Sequence, residues 1–79
     1  MKRILFVDDE PKVLQELQRM LRSMHHEWDM KFATSGQEAL EMLSKSPFDV
    51  IVTDMRMPCM DGAQLLREVM KRYPSVVRI

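Results

Sequence analysis

Apolar and polar residues follow one another along this chain in blocks that predict strands and helices in turn. Residues 4–7 (Ile-Leu-Phe-Val) and 50–52 (Val-Ile-Val) are continuous apolar runs, which are typical of strands buried on both faces of a parallel sheet. Residues 28–32 alternate apolar and charged side chains instead, which predicts a half-exposed strand at the edge of the sheet. Residues 76–79 predict the beginning of a fourth strand.

Three segments between these strands carry apolar residues at helical spacing. The first begins at Pro11, because proline is favoured at the first helical position. The second opens with Ser35 and Glu38, which have the spacing of a capping box. The third begins after Asp61 as N-cap and stops before Pro74. Their apolar stripes are Val13, Leu14, Leu17, Met20, Leu21 and Met24; Ala39, Leu40 and Leu43; and Leu65, Leu66, Val69, Met70 and Tyr73.

The predicted order of elements is β-α-β-α-β-α-β. Such alternation requires a parallel sheet with right-handed crossover connections, and therefore an α/β fold with helices on both faces of the sheet. Residues 1–79 fit one domain. A chain that stops within an apolar strand leaves an open sheet edge, which predicts a fragment of a larger α/β domain.

Composition narrows the functional classes. Twelve basic and twelve acidic residues cancel, so nothing in the overall charge favours direct binding to nucleic acid or to an anionic membrane. No apolar run approaches the roughly 18 residues that a spanning helix needs. A single cysteine, Cys59, cannot form a disulfide framework, which fits a reducing cytoplasm.

Acidic residues directly follow two of the predicted buried strands, at the sheet edge where ligands of open α/β folds bind. Asp8 and Asp9 come after the first strand, and Asp54 comes after the third. If these strands are neighbours, their spacing of about 4.8 Å brings the side chains within reach of one another. Clustered carboxylates need a shared cation or proton, and oxygen ligands without His or Cys favour Mg²⁺ or Mn²⁺. A divalent ion beside a carboxylate that can attack phosphorus supports phosphoryl transfer.

Each of these acids also has a purely structural interpretation when it is taken alone. Asp8-Asp9-Glu10 is compatible with helix-start electrostatics, and Asp54 with a turn. Structural roles are expected for the other polar and sulfur residues: Asp61 as an N-cap, His25 and His26 in an exposed turn, Met55, Met57 and Met60 in loop packing, and Cys59 as an incidental thiol. The pairing of acids at two strand ends favours the metal site.

Two segments resemble the signatures of receiver domains of two-component response regulators. They are residues 4–11 and residues 54–62, the second with Asp, Met-Pro and Met-Asp-Gly at the spacing of that family. The resemblance implies a flavodoxin-like three-layer fold with strand order 2-1-3-4, and loop-shaping roles for Pro58 and Gly62. It spans the chain but only about the first two thirds of the family fold, so a truncated receiver is expected.

The resemblance also implies a chemical role for each acid. Asp54 corresponds to the phosphoacceptor, and Mg²⁺ (or Mn²⁺) is expected on Asp8, Asp9, Asp54 and the backbone carbonyl of Arg56. The implied partner is a histidine kinase or phosphotransfer protein in a bacterial cytoplasm, with no membrane or nucleic-acid contact. A stoichiometric acceptor is expected, not an enzyme. The family's Ser or Thr, Lys and switch aromatic would fall after residue 79.

Two alternatives belong to other classes. One is a structural fragment that assembles into a homodimer or swapped oligomer through the open strand at residues 76–79, without phosphotransfer. The other is a metal-dependent phosphatase with an aspartyl nucleophile. Enzymes of that kind usually carry the nucleophile after the first strand, two residues from a second Asp, whereas Asp8 and Asp9 are adjacent.

Overall fold

The computed structural model describes residues 2–57 and 60–79, and it contains one four-stranded parallel sheet in the order β2-β1-β3-β4. Its strands are β1 (Lys2–Val7), β2 (Trp28–Ala33), β3 (Val50–Thr53) and β4 (Val77–Arg78). The helices are α1 (Pro11–Met20), α2 (Gly36–Lys45) and α3 (Gly62–Arg72), with a 3-10 turn at Arg22–Met24. The predicted fold, strand order and edge position of β2 are confirmed. The roles expected for Pro58 and Cys59 lie outside the described residues.

The two faces of the sheet are covered unequally. On one face, the side chains of α2 and α3 pack with Leu5 and Ile51 into the larger cluster of buried residues. On the other face only α1 contributes a buried residue, Leu14. The prediction of a strand buried on both faces is therefore right for residues 4–7 but wrong for Val50 and Val52, which are only partly buried.

The first helix ends earlier than its apolar stripe predicts. Leu21 leaves helical geometry (φ −98°, ψ 10°), and Met24 N then donates to Leu21 O over 2.9 Å in a tighter 3-10 turn. Two stripe residues are also exposed, Val13 by 41% and Met20 by 71%. Periodicity alone could not show this, because it identifies a shared face without showing whether a neighbour covers that face.

Both predicted helix caps are present. Ser35 Oγ accepts from Glu38 N over 3.0 Å, and the Asp61 carboxylate accepts from Gln64 N over 2.8 Å. The reciprocal half of the capping box differs by one residue, since the Glu38 carboxylate accepts from Thr34 N over 3.1 Å and not from Ser35. The caps fix where α2 and α3 begin, close to the loop that follows β3.

Candidate metal centre

The register of β1 and β3 places the acids side by side. Val7 pairs with Thr53, so the next residue on each strand is an aspartate, Asp8 on one and Asp54 on the other. The ladder continues one bond beyond the strands, because Asp54 N donates to Val7 O over 2.9 Å. Asp8 N is fixed in the same way on the other side, to Ala33 O over 3.1 Å. The sheet itself therefore holds both residues at its carboxyl edge.

Asp8, Asp9 and Asp54 together form a cluster of three carboxylates, each partly buried. One oxygen from each lies within 4.8 Å of the other two. Oxygens bound to Mg²⁺ at about 2.1 Å lie roughly 3 Å apart in adjacent octahedral positions and about 4.2 Å apart in opposite ones. The separations in the cluster exceed the wider of these two spacings by no more than about 0.6 Å, so the three carboxylates suit a hard divalent cation.

In the part of the chain that the structure describes, no cationic side chain forms an ion pair with this cluster. None of the ion pairs found in residues 2–57 and 60–79 involves Asp8, Asp9 or Asp54. Three like charges at this separation repel one another, and partial burial weakens the screening by water. A bound cation removes that repulsion, which makes the cluster a better cation site than any single exposed acid.

Backbone amides orient two of the three carboxylates. Asp8 Oδ1 accepts from Glu10 N over 2.9 Å, and Asp54 Oδ1 accepts from Arg56 N over 3.2 Å. Each of these bonds joins an aspartate side chain to the backbone amide two residues later, which is an Asx-turn. The bonds limit side-chain rotation, so less conformational entropy is lost when a ligand orders the site.

The peptide unit after Asp54 is held from two sides. Thr53 Oγ1 donates to Asp54 O over 3.0 Å. On the other side Gly62 approaches so closely that a Cβ there would meet Asp54 O and would lie 2.7 Å from Met55 Cα. Gly62 N also donates to Met55 O over 3.3 Å. The first residue of α3 therefore packs directly against the backbone of Asp54 and Met55.

Predicted site residues other than the three acids have mixed outcomes. Arg56 lies beside Asp54 through its amide, while the role of its carbonyl as a metal ligand stays a prediction. His25 and His26 lie in an exposed turn with ring centroids 3.8 Å apart, and the only group of metal-binding side chains found among the described residues does not include them. Sequence reasoning missed Thr53, because its hydroxyl is identifiable as a backbone partner only once the strand end is placed.

Comparison with known proteins identifies one family. The sequence model described as "Response regulator receiver domain" matches residues 4–79. A response regulator receiver protein of Anaeromyxobacter sp. is 42% identical over 75 residues, which are 95% of this chain and 31% of that protein. The response regulator PilR of Pseudomonas aeruginosa is 37% identical over 94% of this chain and 16% of its own length. The chain thus spans less than a third of these relatives.

Solved structures agree with this comparison. A receiver domain protein from Clostridium thermocellum superposes with a TM-score of 0.88 at 31% identity, covering 99% of this chain and 62% of that one. The response regulator TrrA of Thermotoga maritima, solved in complex with Mg²⁺-BeF, gives a TM-score of 0.87 at 31% identity, covering 99% and 66%. TrrA is also solved in complex with the histidine kinase ThkA.

Proposed function

Since this chain belongs to the response regulator receiver domain family, we propose that Asp54 accepts a phosphoryl group from a histidine kinase or phosphotransfer protein. The observation that carries the proposal is the cluster of Asp8, Asp9 and Asp54 carboxylates within 4.8 Å at the end of β1 and β3. Asp54 is the member of the cluster that follows β3, where the family signature has its acceptor. Asp8 and Asp9 are the acids that remain to hold a metal.

The proposed step is an in-line displacement at phosphorus. An Asp54 carboxylate oxygen forms the new P–O bond as the P–N bond of a phosphohistidine breaks, and the leaving imidazole nitrogen takes a proton from water. The hydrogen bond from Arg56 N to Asp54 Oδ1 fixes the orientation of the attacking group. Mg²⁺, or Mn²⁺ in its place, would supply positive charge for the phosphoryl oxygens, held by Asp8, Asp9, Asp54 and the Arg56 carbonyl.

Partner and metal are supported by one relative of known structure. TrrA has been solved both with Mg²⁺-BeF and with the histidine kinase ThkA. For this chain we propose a partner of the same class, a histidine kinase. Direct binding to nucleic acid, binding to a membrane and a turnover activity are not proposed, although one relative is a methylesterase and glutaminase of Hahella chejuensis, of which this chain spans 21%.

Three further expectations stay predictions. Among the described residues, no helix is long and apolar enough to cross a membrane, and the cytoplasmic location is proposed from the class of partner. Assembly through the open edge of β4 gains no support from the comparisons. Residues 1–79 are proposed to be a single truncated receiver domain, consistent with their covering 62% and 66% of two response regulator chains of known structure.

Magnesium is expected to stabilise the fold through the three carboxylates. At ten times its dissociation constant, Mg²⁺ should add about 1.4 kcal/mol to the free energy of unfolding. For a domain of this size the melting temperature should rise by roughly 5 to 10 °C. The measurement is a thermal melt monitored by circular dichroism with and without MgCl₂.

Two variants and one control make this test specific. Asp9→Asn and Asp54→Asn should lose most of the Mg²⁺-dependent shift, and without metal they should melt no lower than the parent because repulsion is relieved. Asp49→Asn, at the opposite edge of the sheet where Asp49 accepts from Arg3 N, should keep the full shift. The site would be contradicted if Mg²⁺ left the melting temperature of the parent chain unchanged. It would also be contradicted if Mg²⁺ raised the melting temperatures of all four proteins equally.

A further inference from the structure

The loop that follows Asp54 is packed through thioethers. Met55 is 53% exposed, whereas Met57 in the same loop is 8% exposed and belongs to the main core. The Met55 sulfur lies 2.8 Å from the position of a Cβ on Gly62, and the Met60 sulfur lies 2.9 Å from that of a Cβ on Gly36. Each of these glycines is the first residue of a helix. At the start of α3 and at the start of α2, a methionine sulfur from the loop therefore occupies the space that a side chain on the glycine would need.

From this arrangement we propose that Met55 is a site of reversible oxidation by peroxides, and that its sulfoxide loosens the contact between the Asp54 loop and α3. The Met55 sulfur attacks one oxygen of hydrogen peroxide as the O–O bond breaks. The released hydroxide takes the second proton, so the products are one sulfoxide and one water. The thioether loses two electrons and the peroxide gains them.

Solvent access selects among the methionines of the loop. Oxidation requires that the peroxide reach the sulfur, and Met55 is exposed to water while Met57 is not. Met20 and Met70 are also exposed, by 71% and 53%, but they lie on the outer surfaces of α1 and α3. Met55 is the exposed methionine whose sulfur lies beside Gly62, the glycine that also approaches the Asp54 backbone. Oxidation of Met20 or Met70 is therefore expected to change little.

The consequence follows from the packing at Gly62. A sulfoxide is polar and carries an additional oxygen, whereas the space between Met55 and Gly62 is filled by an apolar sulfur. At this contact the added oxygen favours a wider separation between the loop and the first turn of α3. The bond from Gly62 N to Met55 O, already long at 3.3 Å, is the first interaction expected to break. This inference does not depend on whether Asp54 accepts a phosphoryl group.

The test measures modification and structure together in the 79-residue chain. After treatment with hydrogen peroxide, peptide mass spectrometry should find Met55 oxidised at a rate close to that of Met20 and well ahead of Met57. Amide exchange followed by NMR should then show the Gly62 amide exchanging several-fold faster. The Tyr73 amide, which donates to Val69 O over 2.7 Å at the far end of α3, should keep its rate. Methionine sulfoxide reductases should restore the original exchange.

Matched variants decide the assignment. Met55→Leu should abolish the peroxide response at Gly62, while Met20→Leu should respond like the parent. Both variants keep Cys59, so an effect caused by oxidation of its thiol would appear equally in the two variants and would not be mistaken for an effect of Met55. Met55→Gln, with a polar side chain of similar length, should exchange faster at Gly62 without peroxide. The proposal is overturned if Met55 oxidises no faster than Met57, if the oxidised chain keeps its Gly62 exchange rate, or if Met55→Leu still responds.

Discussion

Gly62→Ala is expected to lower the free energy of unfolding by about 3 kcal/mol, the upper part of the range for an overpacked position. The added methyl group would meet Asp54 O and lie 2.7 Å from Met55 Cα, and backbone atoms cannot move aside as the end of a side chain can. For a domain of this size the melting temperature should fall by roughly 12 to 24 °C. Chemical denaturation followed by circular dichroism measures the loss.

Gly36→Ala is the matched control for this prediction. Gly36 is also the first residue of a helix and is also buried, but the three atoms nearest to a Cβ there all belong to the Met60 side chain, the sulfur being nearest. Because methionine adapts its rotamer readily, the cost should be well under that at Gly62. Equal losses in the two variants would show that helix-start propensity, and not the approach to the Asp54 backbone, decides the outcome. A neutral Gly62→Ala would contradict the packing described here.

Leu65→Ala is expected to be comparably destabilising through a different mechanism. Leu65 is completely buried on the inner side of α3, in the larger core cluster. Removing its isobutyl group loses apolar burial and leaves a cavity, at a typical cost of about 3 kcal/mol. A chain of 79 residues has a total stability of about 4 to 12 kcal/mol on the usual scale. The variant should therefore keep only about 1 to 9 kcal/mol, and its midpoint of unfolding in urea should fall well below that of the parent.

Met70→Ala on the same helix separates the cavity from helix propensity. Met70 is 53% exposed, so its truncation removes little buried surface, and alanine is at least as good a helix former. Its free energy of unfolding should stay within about 0.5 kcal/mol of the parent, as is usual for exposed positions. Similar urea midpoints for the Leu65 and Met70 variants would contradict the assignment of Leu65 to the core.

Much of the fold could be predicted because local signals and the global arrangement agree. The apolar run at residues 4–7 is a buried strand, Pro11 begins α1, and Ser35 and Asp61 cap the next two helices. These features depend on residues close in sequence, where periodicity and capping chemistry are informative. The strand order came from resemblance to a family, since spacing alone does not fix which strands are neighbours.

What could not be predicted depends on contacts between distant segments. The partial exposure of Val50 and Val52 results from having one helix on their side of the sheet and two on the other. The close approach of Gly62 to the Asp54 backbone joins a strand end to a helix start across a loop. An Asp-Gly pair shows only that a helix can begin there, so the reason for the glycine is visible only in three dimensions.

The geometry of the candidate site was predictable on one condition. If β1 and β3 are neighbours, the acids that follow them converge, and the register confirms that they are neighbours. The distances among the carboxylates could not be known beforehand, because they depend on the turns that Asp8 and Asp54 form with Glu10 N and Arg56 N. Metal binding and acceptor chemistry stay predictions until they are measured.

The most direct measurement of the central claim is phosphoryl incorporation from acetyl phosphate, followed by intact-protein and peptide mass spectrometry. We expect one phosphoryl group per chain, located on Asp54, dependent on Mg²⁺ and absent from Asp54→Asn. Asp49→Asn, whose substituted residue lies at the opposite edge of the sheet, should be labelled like the parent. An unlabelled parent chain in millimolar Mg²⁺, or equal labelling of Asp54→Asn, would contradict the account.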